Sequence, residues 1–424
     1  MRRAGTKRRS FEISKRLVFE AWKRVRANRG APGVDRQSIT DFESDEGNLL
    51  YKLWSRMSAG SYMPAPVRAV EIPKDHGAGV RMLGVPTTAD RVAQTAVAAW
   101  LEERVEPVFH TDSYGYRSGR SAHDALAVTR RRCWQQDWVL DLDIRSFFDS
   151  VPHDLMMKAV AHHTQERWVL LYIERWLKAP MQMPDGTLVA RDRGTPQGSP
   201  ISPLLANLFL TYAFDLWMTR EHPGVRFERY ADDIVCHCGT EGEARRLQQR
   251  IAGRLKTVDL ELNAEKTKVV YCKDANRRRD AEHTSFDFLG YTFRPRLARG
   301  PRGLFMSFAP AISPAAKKAI GSAIRAWHLR RRSGSDLSSI AAEINPQARG
   351  WIGYYGAFYR SELYSLAQRI DQHLVRWAMH NFKRLRHQPR KAWAWLARVR
   401  QRAPKLFAHW HLVPANPRRP VGAR

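Results

Sequence analysis

The chain has 424 residues, 43% of them apolar, enough for two or three domains with a sizeable core. Its 71 Lys and Arg against 42 Asp and Glu give a formal charge of +29, a self-repulsion that a polyanion would offset, so nucleic acid is the expected partner. No apolar run approaches the roughly 20 residues that span a bilayer, and the four scattered cysteines form neither a disulfide framework nor a paired zinc site, so a membrane or secreted protein is not expected.

The basic N-terminus lacks the apolar centre of a signal peptide, which makes the cytosol the expected location. The positive charge gathers at both ends. Residues 310–424 carry 22 Lys and Arg against 4 Asp and Glu, a net +18, and the first 30 residues carry 11 against 2. Both ends read as grips on nucleic acid, with the acidic chemistry between them.

In chain order, a helix is expected over 11–28, with Ile13, Leu17, Phe19, Trp22 and Val25 on its apolar face. The Gly- and Pro-bearing stretch N-R-G-A-P-G-V-D then breaks it, and a second helix is expected over 41–58. Residues 67–73 and 80–85 read as a hairpin that carries Lys74 and Arg81. Such cations are either solvated surface residues or a hold on a triphosphate, where Arg offers a bidentate fork and Lys a point charge. A helix over 90–105 follows.

Residues 138–144 have strand character, and the period of two places Asp141 and Asp143 on one face and Leu140, Leu142 and Ile144 on the other. A carboxylate in such a strand is costly to bury alone, and a metal ion is its natural partner. Phe148, five residues after Asp143, reads as a core aromatic or as a ring packed under a sugar. The loop R-G-T-P-Q-G-S-P opens an apolar helix running to about residue 220; backbone N–H groups there can face phosphate or a base pair, and Gln197 adds a side chain.

The stretch F-E-R-Y-A-D-D-I-V-C, 227–236, predicts two short strands with Tyr230-Ala231-Asp232-Asp233 at their turn. Adjacent carboxylates at a tight turn repel each other, an arrangement that a divalent ion resolves, and Asp143 supplies the third ligand. Magnesium takes oxygen ligands and leaves positions for phosphate, and two such ions clamp both sides of an in-line phosphoryl displacement. Asp is also common in surface turns, so the reading rests on the combination. Cys236 and Cys238 share one strand face and read as core.

A helix over 242–258 and a strand over 260–271 follow; Lys266 there is either solvated or a contact to leaving pyrophosphate. Residues 286–293 predict one strand with a central Gly. From Ser313-Pro314, a cap and a Pro at the first helical position, the chain turns helical. Trp351, Tyr354, Tyr355, Phe358 and Tyr359 form one helical stripe, mostly core packing, with Arg349, Arg360, Arg369 and Arg376 beside it as phosphate contacts. The tail over 383–410 interleaves Lys and Arg with Trp393, Trp395, Phe407 and Trp410, a composition suited to structured RNA.

The order of Asp143 in a strand, the P-Q-G loop, Y-A-D-D, the Lys266 segment and F-L-G-Y resembles the reverse transcriptases. N-R-G-A-P-G-V-D, I-P-K-D, R-M-L-G-V-P-T-T-A-D-R-V-A-Q and R-G-W-I-G-Y-Y narrow the resemblance to bacterial group II intron-encoded reverse transcriptase/maturases, over about residues 15–410. The resemblance implies an α+β right-hand polymerase: a basic helical extension (1–60), fingers and a split βαβ palm (61–305), an all-helical thumb that doubles as the maturase domain (306–380), and a basic aromatic tail (381–424).

It further implies Asp143, Asp232 and Asp233 as the catalytic and metal-binding triad, joined by the Ile144 carbonyl, with two Mg2+ ions and Mn2+ as the alternative. Lys74 and Arg81 match the triphosphate contacts, Gln197 the templating-pair contact, Phe148 the sugar gate, and Phe288, Leu289, Gly290 and Tyr291 the primer grip. The implied partners are dNTPs, an RNA template, a DNA primer or target, and structured intron RNA, as a monomer or a homodimer. Many relatives carry an HNH endonuclease with paired Cys and His; this sequence lacks that signature, so second-strand cleavage is not expected, and mobility would use a primer made by other means. The expected function is RNA-directed DNA polymerisation with splicing maturase activity and support of retromobility; the alternatives are a splicing chaperone, or a domesticated reverse transcriptase in host repair or phage defence.

Overall fold

The structure is a computed structural model that describes residues 11–73, 79–301 and 303–412. Lys74 lies outside the described residues. The chain divides into two compact units, Met1–Ala125 with Trp138–Val269, and Leu126–Asp137 with Val270–Arg424.

In the first unit the helix Lys15–Ala27 turns Val18, Ala21, Trp22 and Val25 inward. The single helix expected over 41–58 is two, Ile39–Ser44 and Glu46–Ser58. Ser38 and Asp41 close a reciprocal capping box that starts the first, and Asp45 leaves helical geometry at ψ 33° to separate them. The strands Val67–Pro73 and Val80–Val85 pair antiparallel, and Thr87 caps the helix Thr88–Val105 that follows. The N-R-G-A-P-G-V-D loop docks against these elements. Arg68 donates two hydrogen bonds to the Pro32 carbonyl, and a Cβ on Gly33 would lie 2.6 Å from the Thr87 backbone, so only glycine fits there.

A second sheet has the order Arg226–Tyr230, Asp233–Cys238, Trp138–Leu142, Lys268–Tyr271. Its alternation follows the expected parity: Leu140, Leu142 and Ile144 are buried, whereas Asp141 and Asp143 keep partial access. Cys236 and Cys238 are both buried. The helical run after the P-Q-G loop consists of Ser202–Leu210, a π-helical turn Thr211–Asp215, and Leu216–Glu221.

The second unit departs from the expected single strand over 286–293. Phe286–Phe288 and Tyr291–Gly300 form a hairpin, because Leu289 (φ 51°) and Gly290 (φ 77°) are both left-handed, the requirement of a type I′ turn. The second strand continues into a long hairpin with Gly303–Ile312. Ser313 then accepts from the Ala316 N–H and starts Pro314–Ala326. That helix shares one core with Leu337–Tyr355, Tyr364–Asn381 and Pro389–Arg402, built from Ile324, Ile344, Leu374 and Trp377 among others. Phe407 and Trp410 are buried in the same core and Trp395 packs against it, so packing rather than base stacking accounts for them. Among the described residues, no helix is long and apolar enough to cross a membrane.

Candidate active site

The catalytic candidates meet at the end of the second sheet. Leu142 pairs with Ile234, so the next positions along the two strands are Asp143 and Asp233. Tyr230 pairs with Asp233 across a two-residue turn of Ala231 and Asp232, with Ala231 in the left-handed region at φ 58°. Just beyond Asp143, Arg145 N–H donates to the Glu261 carbonyl and Asn263 N–H to the Asp143 carbonyl, both at 2.8 Å. The Ile144 carbonyl takes no part in that pair of bonds.

The electrostatics are those of a site short of positive charge. Loss of hydration, then the charge of Asp143, raises the Asp232 carboxyl above its ordinary range, against the pull of Arg81 and Lys266. Asp233 keeps an accessible edge, yet lost hydration on its protein-facing side, followed by the charges of Asp232 and Asp143, pushes it up to about 7. Lys266 places its ammonium 3.4 Å from Asp143 Oδ1. Among the described residues no three His, Cys, Asp or Glu side chains stand in a closed ligand cluster. The donor set itself, the oxygen ligands of Asp143, Asp232 and Asp233 at one end of the sheet, is the type that a divalent cation such as magnesium takes.

The other predicted contacts in this unit are tied to the same region through the backbone. Gly194 N–H donates to the Val151 carbonyl and Thr195 N–H to the Phe148 carbonyl, both at 2.7 Å, which fixes the P-Q-G loop against the Phe148 segment. Phe148 is half-buried and meets Phe147 edge-on at 5.4 Å. The Gln197 carbonyl accepts from Gly84 N–H at 2.8 Å, and a Cβ on Gly198 would sit 2.9 Å from the Gly84 carbonyl, so the loop lies flush on the strand that carries Arg81. Arg81 is exposed.

In the second unit the primer-grip candidates Phe288, Leu289, Gly290 and Tyr291 occupy the I′ hairpin. Tyr291 is enclosed by Tyr354, Tyr355 and Phe358, with ring centroids 5.5–5.7 Å away, and Tyr354 donates to the Leu289 carbonyl at 2.8 Å. The aromatic stripe is therefore largely packing, although its helix ends at Tyr355. Arg349, Arg360, Arg369 and Arg376 are all exposed. Arg369 joins Lys317, Lys318 and Arg325 around a cavity of about 390 Å³. Burial, then the charges of Arg376, Arg369 and Arg325, holds His373 below its usual range, the mark of a positive surface.

Two features escaped the sequence reading. Tyr116, with φ 54°, lies 6.2 Å from the Tyr230 ring, and its phenol is raised by burial and then by Asp232. Beneath the turn, Arg229 forms a buried pair with Asp215 at 2.6 Å. The available signal was a charged Glu-Arg pair inside an otherwise apolar strand; nothing local in the sequence pointed to Asp215.

Residues 72–293, more than half of the chain, match the reverse transcriptase (RNA-dependent DNA polymerase) family, and residues 317–396 match the group II intron, maturase-specific domain. The chain is 32% identical to protein YkfC of Escherichia coli K12 over 61% of its own length and 77% of that protein. It is 30% identical to the group II intron-encoded protein LtrA of Lactococcus lactis over 62% of its length, but this spans 42% of LtrA. A Candida albicans telomerase structure superposes with a TM-score of 0.48 at 11% identity, covering 88% of this chain and 68% of that one, and adds no weight. The chain belongs to the reverse transcriptase family, and its second unit contains a group II intron maturase-specific domain.

Proposed function

We propose that this chain extends a DNA primer on an RNA template with Asp143, Asp232 and Asp233 as the residues that hold two divalent ions. The observation that carries the reading is the strand register, which sets Asp143 opposite Asp233 with Asp232 on the adjoining turn. The Ile144 carbonyl completes the oxygen donors. When bound, magnesium, or manganese in its place, would lower the proton affinity of the primer 3′-hydroxyl and offset charge on the leaving pyrophosphate.

The chain's own residues do the rest. Arg81 and Lys266 bring positive charge to the triphosphate side, with Lys74 as the third cation of that set. Phe148 bounds the sugar of the incoming nucleotide. Gln197 sits on a loop held rigidly enough to read the templating pair, because flush backbone packing at Gly84 and Gly198 leaves it little freedom. The Phe288 to Tyr291 hairpin holds the primer strand. Primer extension with magnesium tests this: Asp232→Ala should reduce extension about 100- to 1,000-fold, in line with loss of a group acting chiefly in the transition state, while RNA binding persists. Extension by the variant at the wild-type rate would refute the role.

The maturase-specific domain supports a second activity in the same chain, recognition of structured intron RNA through Arg349, Arg360, Arg369 and Arg376. Neutralising all four should flatten the salt dependence of RNA binding by roughly 3–4 units of log–log slope. Asp232→Ala should still promote splicing of a cognate intron; a variant that splices no better than RNA alone would tie splicing to the polymerase site. Service in retromobility is the reading that joins both activities, and service in host repair or phage defence would need only the first.

A further inference from the structure

The turn that carries Asp232 has a shape that needs support. Ala231 sits at φ 58°, a region that residues with a Cβ avoid. The residue directly before Tyr230 is Arg229, wholly buried together with Asp215. Arg229 donates from Nε to Asp215 Oδ1 at 2.8 Å and from Nη2 to Asp215 Oδ2 at 2.6 Å, a bidentate fork. Its Nη1 reaches two further acceptors, Asn207 Oδ1 at 2.9 Å and the Ala231 carbonyl at 3.2 Å. Asn207 Nδ2 in turn donates to the Gly115 carbonyl at 2.5 Å.

Gly115 closes the other side. A Cβ there would lie 2.5 Å from the Ala231 nitrogen, and Tyr114 N–H donates to the Arg229 carbonyl at 2.8 Å. The Ala231–Asp232 peptide is thus gripped through its carbonyl, and the Tyr230–Ala231 peptide just before it is confined by the Gly115 backbone. Asp215 ends the π-helical turn Thr211–Asp215. A π turn inserts one residue into a helix and shifts the face on which later residues lie, and here it delivers a carboxylate to Arg229.

A buried ion pair is weak evidence of stability, since apolar residues of similar volume often do as well. We propose that Arg229, oriented by Asp215 and Asn207, is a positioning residue that fixes the Ala231–Asp232 peptide and so aims Asp232 toward the divalent ion shared with Asp143 and Asp233. The inference rests on the assignment of those three carboxylates above.

The test uses the full chain and two readouts: direct Mn2+ binding by electron paramagnetic resonance, and the magnesium concentration that half-saturates primer extension. The variants are Arg229→Lys and the charge-free pair Arg229→Met with Asp215→Leu, beside wild type and Asp232→Ala. Expected for the pair is a wild-type fold by circular dichroism, Mn2+ affinity weakened about 10- to 100-fold and a magnesium requirement raised in step, the range for residues that orient metal ligands. Arg229→Lys, which keeps the charge but loses the fork, should fall between. A folded pair variant with wild-type Mn2+ affinity overturns the inference. If the pair variant does not fold, Arg229→Lys decides: weakened Mn2+ binding in a folded protein supports positioning, and wild-type binding overturns it. Failure of the site assignment would look different, because Asp232→Ala would then bind Mn2+ as wild type does, and the inference would fall with it.

Discussion

Two hairpins carry the chain's predicted contacts to a growing strand, and each turns through a left-handed residue that is not glycine, Ala231 in one and Leu289 in the other. They are secured by opposite chemistry. The Asp232 turn lies over a buried guanidinium, carboxylate and carboxamide joined by hydrogen bonds of 2.5–3.2 Å. The Leu289 turn is held mainly by the aromatic rings around Tyr291, with neutral hydrogen bonds from the Tyr354 hydroxyl to the Leu289 carbonyl, from Ser313 N–H to the Gly290 carbonyl, and from the Tyr291 hydroxyl to the Tyr354 carbonyl. A polar network is directional and fails sharply when one member is lost, whereas aromatic packing spreads its contribution over many weak contacts. The first would suit the proposed metal site, where carboxylate aim matters, and the second the proposed primer grip, which must hold a strand while it moves.

The comparison breaks most visibly at Arg229. Arg229→Ala leaves Asp215 buried without its partner, which costs about 3–5 kcal/mol and should lower the denaturation midpoint of the first unit's transition. Adding Asp215→Leu should recover much of that loss, because both charges are then gone. No single truncation in the aromatic cage leaves a buried charge behind, so Tyr355→Leu should cost less than Arg229→Ala under the same denaturant.

An added methyl group sharpens it further. Gly115→Ala places a Cβ 2.5 Å from the Ala231 nitrogen, and backbone cannot swing aside as a side chain can, so about 1–3 kcal/mol is expected together with a drop in extension rate. At the other turn, Gly290→Ala meets the Tyr355 hydroxyl at 3.1 Å and a φ of 77°, a cost of roughly 1–2 kcal/mol. Denaturation curves of the two variants compare stability, and extension at saturating magnesium shows whether the first loses activity beyond its loss of stability.

Much of this was legible in the sequence where the signal is periodic or local. The parity of 138–144 separated Asp143 from its buried neighbours, and Y-A-D-D between two apolar runs marked a turn. Ser313 before Pro314 announced a cap that the structure contains. The misses share a cause. Asp215 and Arg229 are 14 residues apart, and Asn207 and Gly115 are 92 apart, so no window of sequence holds the network. The I′ turn at Leu289-Gly290 was hidden because it sits inside the apolar run F-D-F-L-G-Y-T-F that continues across it, whereas the break at Asp45 falls in the polar stretch E-S-D-E-G-N, where no apolar period marks one helix from two. Trp410 and Phe407 looked like stacking residues by composition alone, and only their shared core with the helices of the second unit shows them as packing.

The smallest effect is the most discriminating. Replacing Ala231 or Leu289 by Gly removes the left-handed penalty of a side chain, about 1 kcal/mol, partly offset by the freedom glycine gains in the unfolded chain. Leu289→Gly should therefore change stability by a few tenths of a kcal/mol and leave extension near the wild-type rate, since the flanking aromatic contacts hold the turn from outside. Ala231→Gly has the same backbone arithmetic but a different consequence. Glycine widens the conformations open to the peptide before Asp232, and the Arg229 bond to its carbonyl becomes the main restraint on them. Combined with Arg229→Lys, Ala231→Gly should weaken Mn2+ binding by more than the product of the two single effects, whereas alone it should weaken it little. Strictly multiplicative effects would mean that Ala231 and Arg229 act independently on the turn.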